Sequence, residues 1–214
     1  MENIYIIGTG SYAEVMLELA DACGYNVVGF YNAYGGNSIN EIMGISVIGE
    51  FSECTENEVK GKLFIVAVGD NKIRHDLLER VNELGGKTPT LIHPSAHISK
   101  SAVIGNGVYI HMGAVIWTKA ILGDYTIISP NVVVGHHAKV GHSCLISISS
   151  VVGAKIKVGD YTMFGLGSIA ISGLDRIGEN VMLGAGTTVV KEIPDNVLAV
   201  GCPARVIKDR QPIK

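Results

Sequence analysis

From residue 98 onward the chain repeats with a period of six. Stepping by six gives Ile98, Ile104, Ile110, Ile116, Leu122, Ile128, Val134, Val140, Ile146, Val152, Val158, Phe164 and Ala170. A helix returns to the same face every 3.6 residues, so an apolar series in this phase excludes one. Glycine often follows the aliphatic residue, as at Gly105, Gly123, Gly135, Gly141, Gly153, Gly159 and Gly165. Four residues after it stands mostly a small or β-branched side chain, such as Ala114, Ala120, Thr126, Ala138, Cys144 or Ser150. This is the hexapeptide pattern of a parallel β-helix, in which three hexapeptides close one triangular coil. The aliphatic residue points inward and stacks on its equivalent three hexapeptides away, and glycine relieves a corner where a side chain would clash. After Ala170 the phase slips by one residue and resumes at Ile177, Leu183 and Val189, so a small loop is expected at Ser172 to Asp175.

The first ninety residues have other periods. "IYIIG", "NVVGFY" and "KLFIVAVG" read as buried strands. "YAEVMLELADACG" has helical spacing through Val15, Met16, Leu19 and Ala20, with Gly24 placed to stop it. "NKIRHDLLERVNELGG" is a second helix, with apolar Ile73, Leu77, Leu78, Val81 and Leu84. Strands alternating with helices imply a parallel sheet, whose ligands bind at the carboxyl ends of the strands. Those ends are Gly8 to Tyr12, Tyr31 to Ala33 and Gly69 to Asn71. The domains are therefore read as 1–90 and 91–214.

Composition narrows the function classes. With 47% hydrophobic and 17% charged residues in 214, the chain can bury real cores. A formal charge of −3 lacks the clustered positive excess of a nucleic-acid binder. No apolar run reaches membrane-spanning length. "MENIYIIGTG" begins a strand, without the basic start and long apolar stretch of a signal peptide. Cys23, Cys54, Cys144 and Cys202 show no CxxC spacing, which fits reduced thiols in a cytoplasm.

The segment "VVVGHHAKVGHSC" places three histidines on this ladder. With three hexapeptides to a coil, His142 stacks between Asp124 and Asp160 as a charge-paired rung. His137 falls between Lys119 and Lys155, surroundings unsuited to a cation. His136 falls between Thr118 and Ala154, which leave its imidazole accessible. Adjacent corner histidines are expected to point apart, so no metal site is expected, since zinc needs three or four convergent ligands. Cys144 occupies an inward slot and is read as an inert core thiol.

The solenoid, "IYIIGTGSYAEV", "FIVAVGDNKIR", "LIHPSAHIS" and "GCPARVIK" together resemble the sugar acetyltransferases of bacterial surface-glycan synthesis. Two branches are similar: the nucleotide-linked 4-amino-sugar N-acetyltransferases and the sialic acid O-acetyltransferases. The resemblance implies an α/β Rossmann-like N-terminal domain that binds a nucleotide-sugar, followed by a left-handed parallel β-helix. It also implies a homotrimer, with acetyl-coenzyme A as acyl donor between neighbouring solenoids and no metal. The family's general-base pattern xH[DE]xxxG falls on "GHHAKVG" and assigns the base to His136, with His137 in place of the usual carboxylate. A family histidine that contacts the thioester carbonyl falls on Leu145, and an asparagine seven residues before the base falls on Ser129. A Gly-His pair reads Ser11-Tyr12, and an Asp-Asp pair reads Asn32-Ala33.

On this reading Gly10, Ser11, Tyr12, Asn32 and Gly69 bind the nucleotide-sugar. Backbone around Gly165, Leu166, Gly184 and Ala185 receives the coenzyme, and Lys191, Arg205 and Lys208 are candidates for its phosphates. The expected reaction is direct acyl transfer to a sugar amine, with histidine as general base near neutral pH. O-acetylation of sialic acid or a related sugar, and a weakly active or inactive nucleotide-sugar-binding scaffold, are the competing readings.

Overall fold

Strand, helix and strand follow one another from the N-terminus. In a computed structural model, which describes residues 1–35 and 39–213, β1 (Glu2–Ile7) leads into α1 (Tyr12–Ala22) and β2 (Tyr25–Asn32). β3 (Glu41–Ile42) and β4 (Ile45–Glu50) form a hairpin, then come α2 (Glu56–Val59), β5 (Leu63–Val66) and α3 (Asn71–Glu83). The sheet order is β3-β4-β2-β1-β5, parallel except for the β3–β4 pair. Met43 and Gly44 turn this hairpin with φ of 48° and 79°, a conformation suited to a tight two-residue connection. The helical period holds with one exchange. Ala13, Met16, Leu19 and Ala20 bury the face of α1, while Val15 is turned outward. Gly24, at φ 83°, ends that helix by bonding its amide to the Asp21 carbonyl at 2.8 Å.

This unit, Met1–Leu91, is one of two into which the chain divides; the other is Ile92–Lys214. The second is the left-handed solenoid. Two-residue strands stack into three parallel sheets, one per face, represented by Val115–Ile116, Ile121–Leu122 and Ile127–Ile128. Register advances by one full coil at each step: Ile116 lies against Val134, Leu122 against Val140 and Ile128 against Ile146. From Lys157 against Arg176 the step is longer by one, so the extra residue falls within the Ile171–Asp175 turn. The inward stack from Ile110 to Val189 is buried, which makes the core a column.

Corners are crowded. A Cβ on Gly135 would stand 2.7 Å from the amide nitrogen of Ala154 in the next coil, so that position admits only glycine. The pattern of six does not reveal what comes two residues later. Lys119, Tyr125, Asn131, His137, Ser143, Ser149, Lys155 and Tyr161 all adopt positive φ, between 54° and 66°. Such a residue costs about 1–2 kcal/mol against the ordinary helical region unless it is glycine. Repetition compensates, because each coil's corner amide is bonded to the coil below: His137 N donates to the Thr118 carbonyl at 2.9 Å, and Lys155 N to the His136 carbonyl at 3.0 Å.

Candidate active site

At the strand ends of the first unit, Gly8, Thr9, Gly10, Ala33, Tyr34, Gly35, Ala67, Val68 and Gly69 enclose a cavity of about 350 Å³. Gly8 sits at φ 121°, and a Cβ there would come within 2.8 Å of the Ala67 carbonyl, so the chain needs glycine to turn beside β5. Gly10 and Gly69 therefore line the cavity. Asn32 lies buried and does not line it; the Thr9 hydroxyl donates to its Oδ1 at 2.7 Å, and its amide donates to Glu50 at 2.9 Å. Ser11 stands exposed at the start of α1, and half-buried Tyr12 begins the helix. Burial pushes the Tyr12 phenol well up, and the positive charge of Arg74 opposes this only in part.

Sequence reading missed Arg74. It occupies the buried face of α3 and is fully covered, donating to the carbonyls of Val68 and Gly69 at 3.3 Å and to Asn71 Oδ1 at 2.8 Å. A buried cation of this kind is held by hydrogen bonds that satisfy its fork of donors. It fixes the loop forming one wall of the cavity. The helical period marks the position, but nothing in the sequence marks the arginine as buried.

On the solenoid, the corner Gly135–His137 brings two imidazoles together. His136 Nδ1 and His137 Nδ1 are 3.1 Å apart, with the rings perpendicular and their centroids separated by 5.2 Å. The expectation that these side chains point apart is thus corrected: the left-handed twist at His137 swings its ring back towards its neighbour. Two ring nitrogens at this distance share one proton, so one ring donates and the other accepts. The proton affinity of His137 is depressed by desolvation, then by His136, Lys119 and Lys155, which favours its neutral ring. An arrangement in which His136 donates its Nδ1–H to His137 leaves His136 Nε2 as an acceptor. The indole of Trp117, from the preceding coil, lies over the other side of His136, with centroids 6.3 Å apart and planes within 16°.

His142 meets different surroundings. Its Nε2 is 3.2 Å from Asp160 Oδ2, and its backbone amide donates to Asp160 Oδ1 at 2.9 Å. Tyr161 packs edge-on at 4.8 Å. Cys144 is fully buried, with its thiol donating to the Gly159 carbonyl at 3.3 Å. Among the described residues no three His, Cys, Asp or Glu side chains are grouped to hold a metal ion.

The third corner contains Gly165, Leu166, Gly184 and Ala185. The amides of Gly165 and Gly184 are already used, donating to the carbonyls of Leu183 at 2.8 Å and Ala199 at 2.9 Å. Among the described residues, the exposed Leu166 and Ala185, one position on, donate to no protein carbonyl. Any donor offered to a ligand comes from these two. Lys191, Arg205 and Lys208 are exposed, the last two on a C-terminal hairpin formed by Val197–Val200 and Arg205–Asp209.

A solenoid with an accessible histidine pair, in a chain that also carries a unit with a strand-end cavity, defines the hexapeptide-repeat acyltransferases as a class. The model for the PglD N-terminal domain matches residues 3–81, and that for the bacterial transferase hexapeptide (six repeats) matches residues 101–136. The chain is 30% identical to a histidine variant of perosamine N-acetyltransferase from Caulobacter crescentus, solved with CoA and GDP-perosamine. That match covers 98% of both chains, with a TM-score of 0.87. The acetyltransferase domain of PglB from Neisseria gonorrhoeae superposes with a TM-score of 0.86 at 28% identity, over 97% of this chain and all of that one. UDP-N-acetylbacillosamine N-acetyltransferase from Bacillus subtilis is 35% identical over 118 residues, 51% of each chain, so the match spans about half the length of that curated relative. The chain belongs to the family of acetyl-coenzyme A-dependent nucleotide amino-sugar N-acetyltransferases.

Proposed function

We propose that this chain transfers the acetyl group of acetyl-coenzyme A to the amine of a nucleotide-linked 4-amino-sugar, in bacterial surface-glycan synthesis, as a cytoplasmic homotrimer. One observation carries the reading: an accessible imidazole whose Nδ1 is held by a second, neutral imidazole, in a chain of this family. On this reading His136 donates its Nδ1–H to His137, and its Nε2 is the base. The amine attacks the thioester carbonyl and forms the C–N bond while its proton passes to Nε2. Collapse of the adduct breaks the C–S bond, and the departing thiolate takes that proton back. His137 orients the base by accepting its Nδ1–H, which a carboxylate would do with an added counter-charge. The amides of Leu166 and Ala185 suit the donor's carbonyl groups, because fixed donors are what developing negative charge requires.

The strand-end cavity is the nucleotide-sugar site on this reading. The start of α1 supplies backbone donors and a positive dipole end for a diphosphate, and Gly10 and Gly69 let it approach. Asn32 shapes the site by holding Thr9, which lines it.

The trimer reading is supported by the solenoid's outer surface. Val115, Val133, Val151 and Ile169 face outward on one sheet, and Met112, Ile148 and Leu166, 46–56% exposed, run along the adjoining corner. A continuous apolar strip of this length marks an interface between copies of the chain. The histidine corner borders the same sheet, so a neighbouring copy would complete the site. The cytoplasmic reading is supported by four cysteines that form no disulfide with one another.

Thiol release from acetyl-coenzyme A tests the proposal, with a nucleotide-linked 4-amino-sugar, free sialic acid and a galactoside as parallel acceptors. Release with the amino-sugar alone is expected. Preference for sialic acid would move the reading to O-acetylation. Binding of the nucleotide-sugar with no release under any condition would leave a scaffold.

A further inference from the structure

Trp117 is the one tryptophan in the chain, and at 49% exposure it leaves half of a large apolar surface in water. The residue directly above it in the next coil is Gly135, and the one above that is Gly153. Neither has a side chain to fill the space over the indole. Trp117 therefore reaches diagonally to His136, one position past Gly135, in an offset parallel stack with centroids 6.3 Å apart. This spacing lies within the range in which aromatic pairs attract. The imidazole is thus held on two sides, by the indole over its plane and by His137 at Nδ1, and only the Nε2 edge remains to meet a substrate.

The charges around this ring have one sign. Lys119 and Lys155 stand beside the neutral His137 at the corner, and among the described residues no carboxylate forms an ion pair with His136. A proton taken from the acceptor creates a positive charge in these surroundings. An aromatic face is an electron-rich surface that attracts such a cation.

We propose that Trp117 is the positioning residue of the base, its indole fixing the plane of His136 and stabilising the imidazolium formed as the acceptor loses its proton. The inference rests on the reading of His136 as general base. It assigns to an aromatic face the electrostatic part of a role that His137, being neutral, does not supply.

A single tryptophan makes the contact directly readable in the intact protein without substrate, because a protonated imidazole in contact with indole quenches its emission. Emission should fall as acidification protonates the ring. The transition should vanish in His136→Ala and persist in His137→Asn. Trp117→Leu should lower kcat about fivefold to tenfold while leaving KM for acetyl-coenzyme A unchanged. The acid limb of its pH–rate profile should move to lower pH, since an imidazolium without the indole releases its proton more readily. Trp117→Phe should restore most of both. Emission that does not titrate, or wild-type kcat and pH profile in Trp117→Leu, overturns the proposal. Turnover that survives in His136→Ala instead overturns the base assignment, while a titrating emission in the wild type would still establish the contact.

Discussion

Two corners of one coil, six positions apart in sequence, put histidine to different uses. At the first, His136 meets a neutral imidazole, an indole and lysines. At the second, His142 meets Asp160 and the edge of Tyr161. The local sequences, "VGHHA" and "VGHSC", are nearly alike. What differs is the content of the coils above and below. In a solenoid the environment of a residue is written one coil away, so chemistry follows the neighbouring coil and not the local motif. The imidazole at the first corner is left with an open nitrogen, and the one at the second is engaged by a carboxylate.

Substitutions can break or sharpen this contrast. The largest effect is expected for His136→Ala, which should reduce the rate of acetyl transfer by roughly 100- to 10,000-fold, the usual worth of general-base catalysis. Its melting temperature should change little, because a corner side chain contributes little to the core. Single-turnover rates beside thermal melts separate the two; a near-normal rate would move the base to another imidazole.

A third imidazole, inside the same solenoid, gives the next largest effect, on stability. His111 is only 3% exposed, and burial, aided by His93, lowers its pKa to about 4. An unfolded histidine titrates near 6.5, so the unfolded chain takes up a proton that the folded one refuses. The stability from this neutral burial is complete above about pH 6.5 and is lost as pH falls towards about 4, on the order of 3 kcal/mol in all. Denaturant titrations across that window should show the loss, and His111→Gln should flatten it. An unchanged slope in the variant would assign the acid sensitivity to other groups.

A smaller effect belongs to His137. His137→Asn keeps a polar side chain but changes the geometry of the acceptor, and should lower kcat about tenfold without changing nucleotide-sugar binding measured by calorimetry. His137→Glu adds the missing counter-charge, and should raise the pH at which the acid limb of the rate profile lies. The smallest is His142→Ala, which removes an exposed pair worth at most about 1 kcal/mol and should leave turnover within about twofold of wild type. Abolished turnover in that variant would reverse the roles of the two corners.

The features legible in the sequence were those that depend on stacking at a fixed step. The inward column, the glycine at close approaches, the single-position slip before Arg176 and the pairing of His142 with Asp160 all follow from counting three hexapeptides to a coil. The strand-end cavity follows from helix–strand alternation, and Gly10 and Gly69 with it. Contacts that run diagonally between coils were not legible. Counting places Thr118 below His136, whereas the indole of Trp117 reaches it from one position further back. The β3–β4 hairpin was missed because "EIMGISVIGE" alternates weakly and hides its turn in Met43-Gly44. The convergence of His136 and His137 depends on a backbone angle, and a pattern of apolar residues does not record one.

That angle places His137 in a conflict of interests. It stands at φ 60°, where the backbone alone would choose glycine or asparagine, yet its ring is what holds His136 in orientation. Selection for a more heat-resistant molecule and selection for a faster one therefore pull this single position in opposite directions. His137→Gly should melt about two degrees higher while turning over more slowly. A library screened only for thermal endurance would discard the imidazole, and its most durable members would be its slowest enzymes.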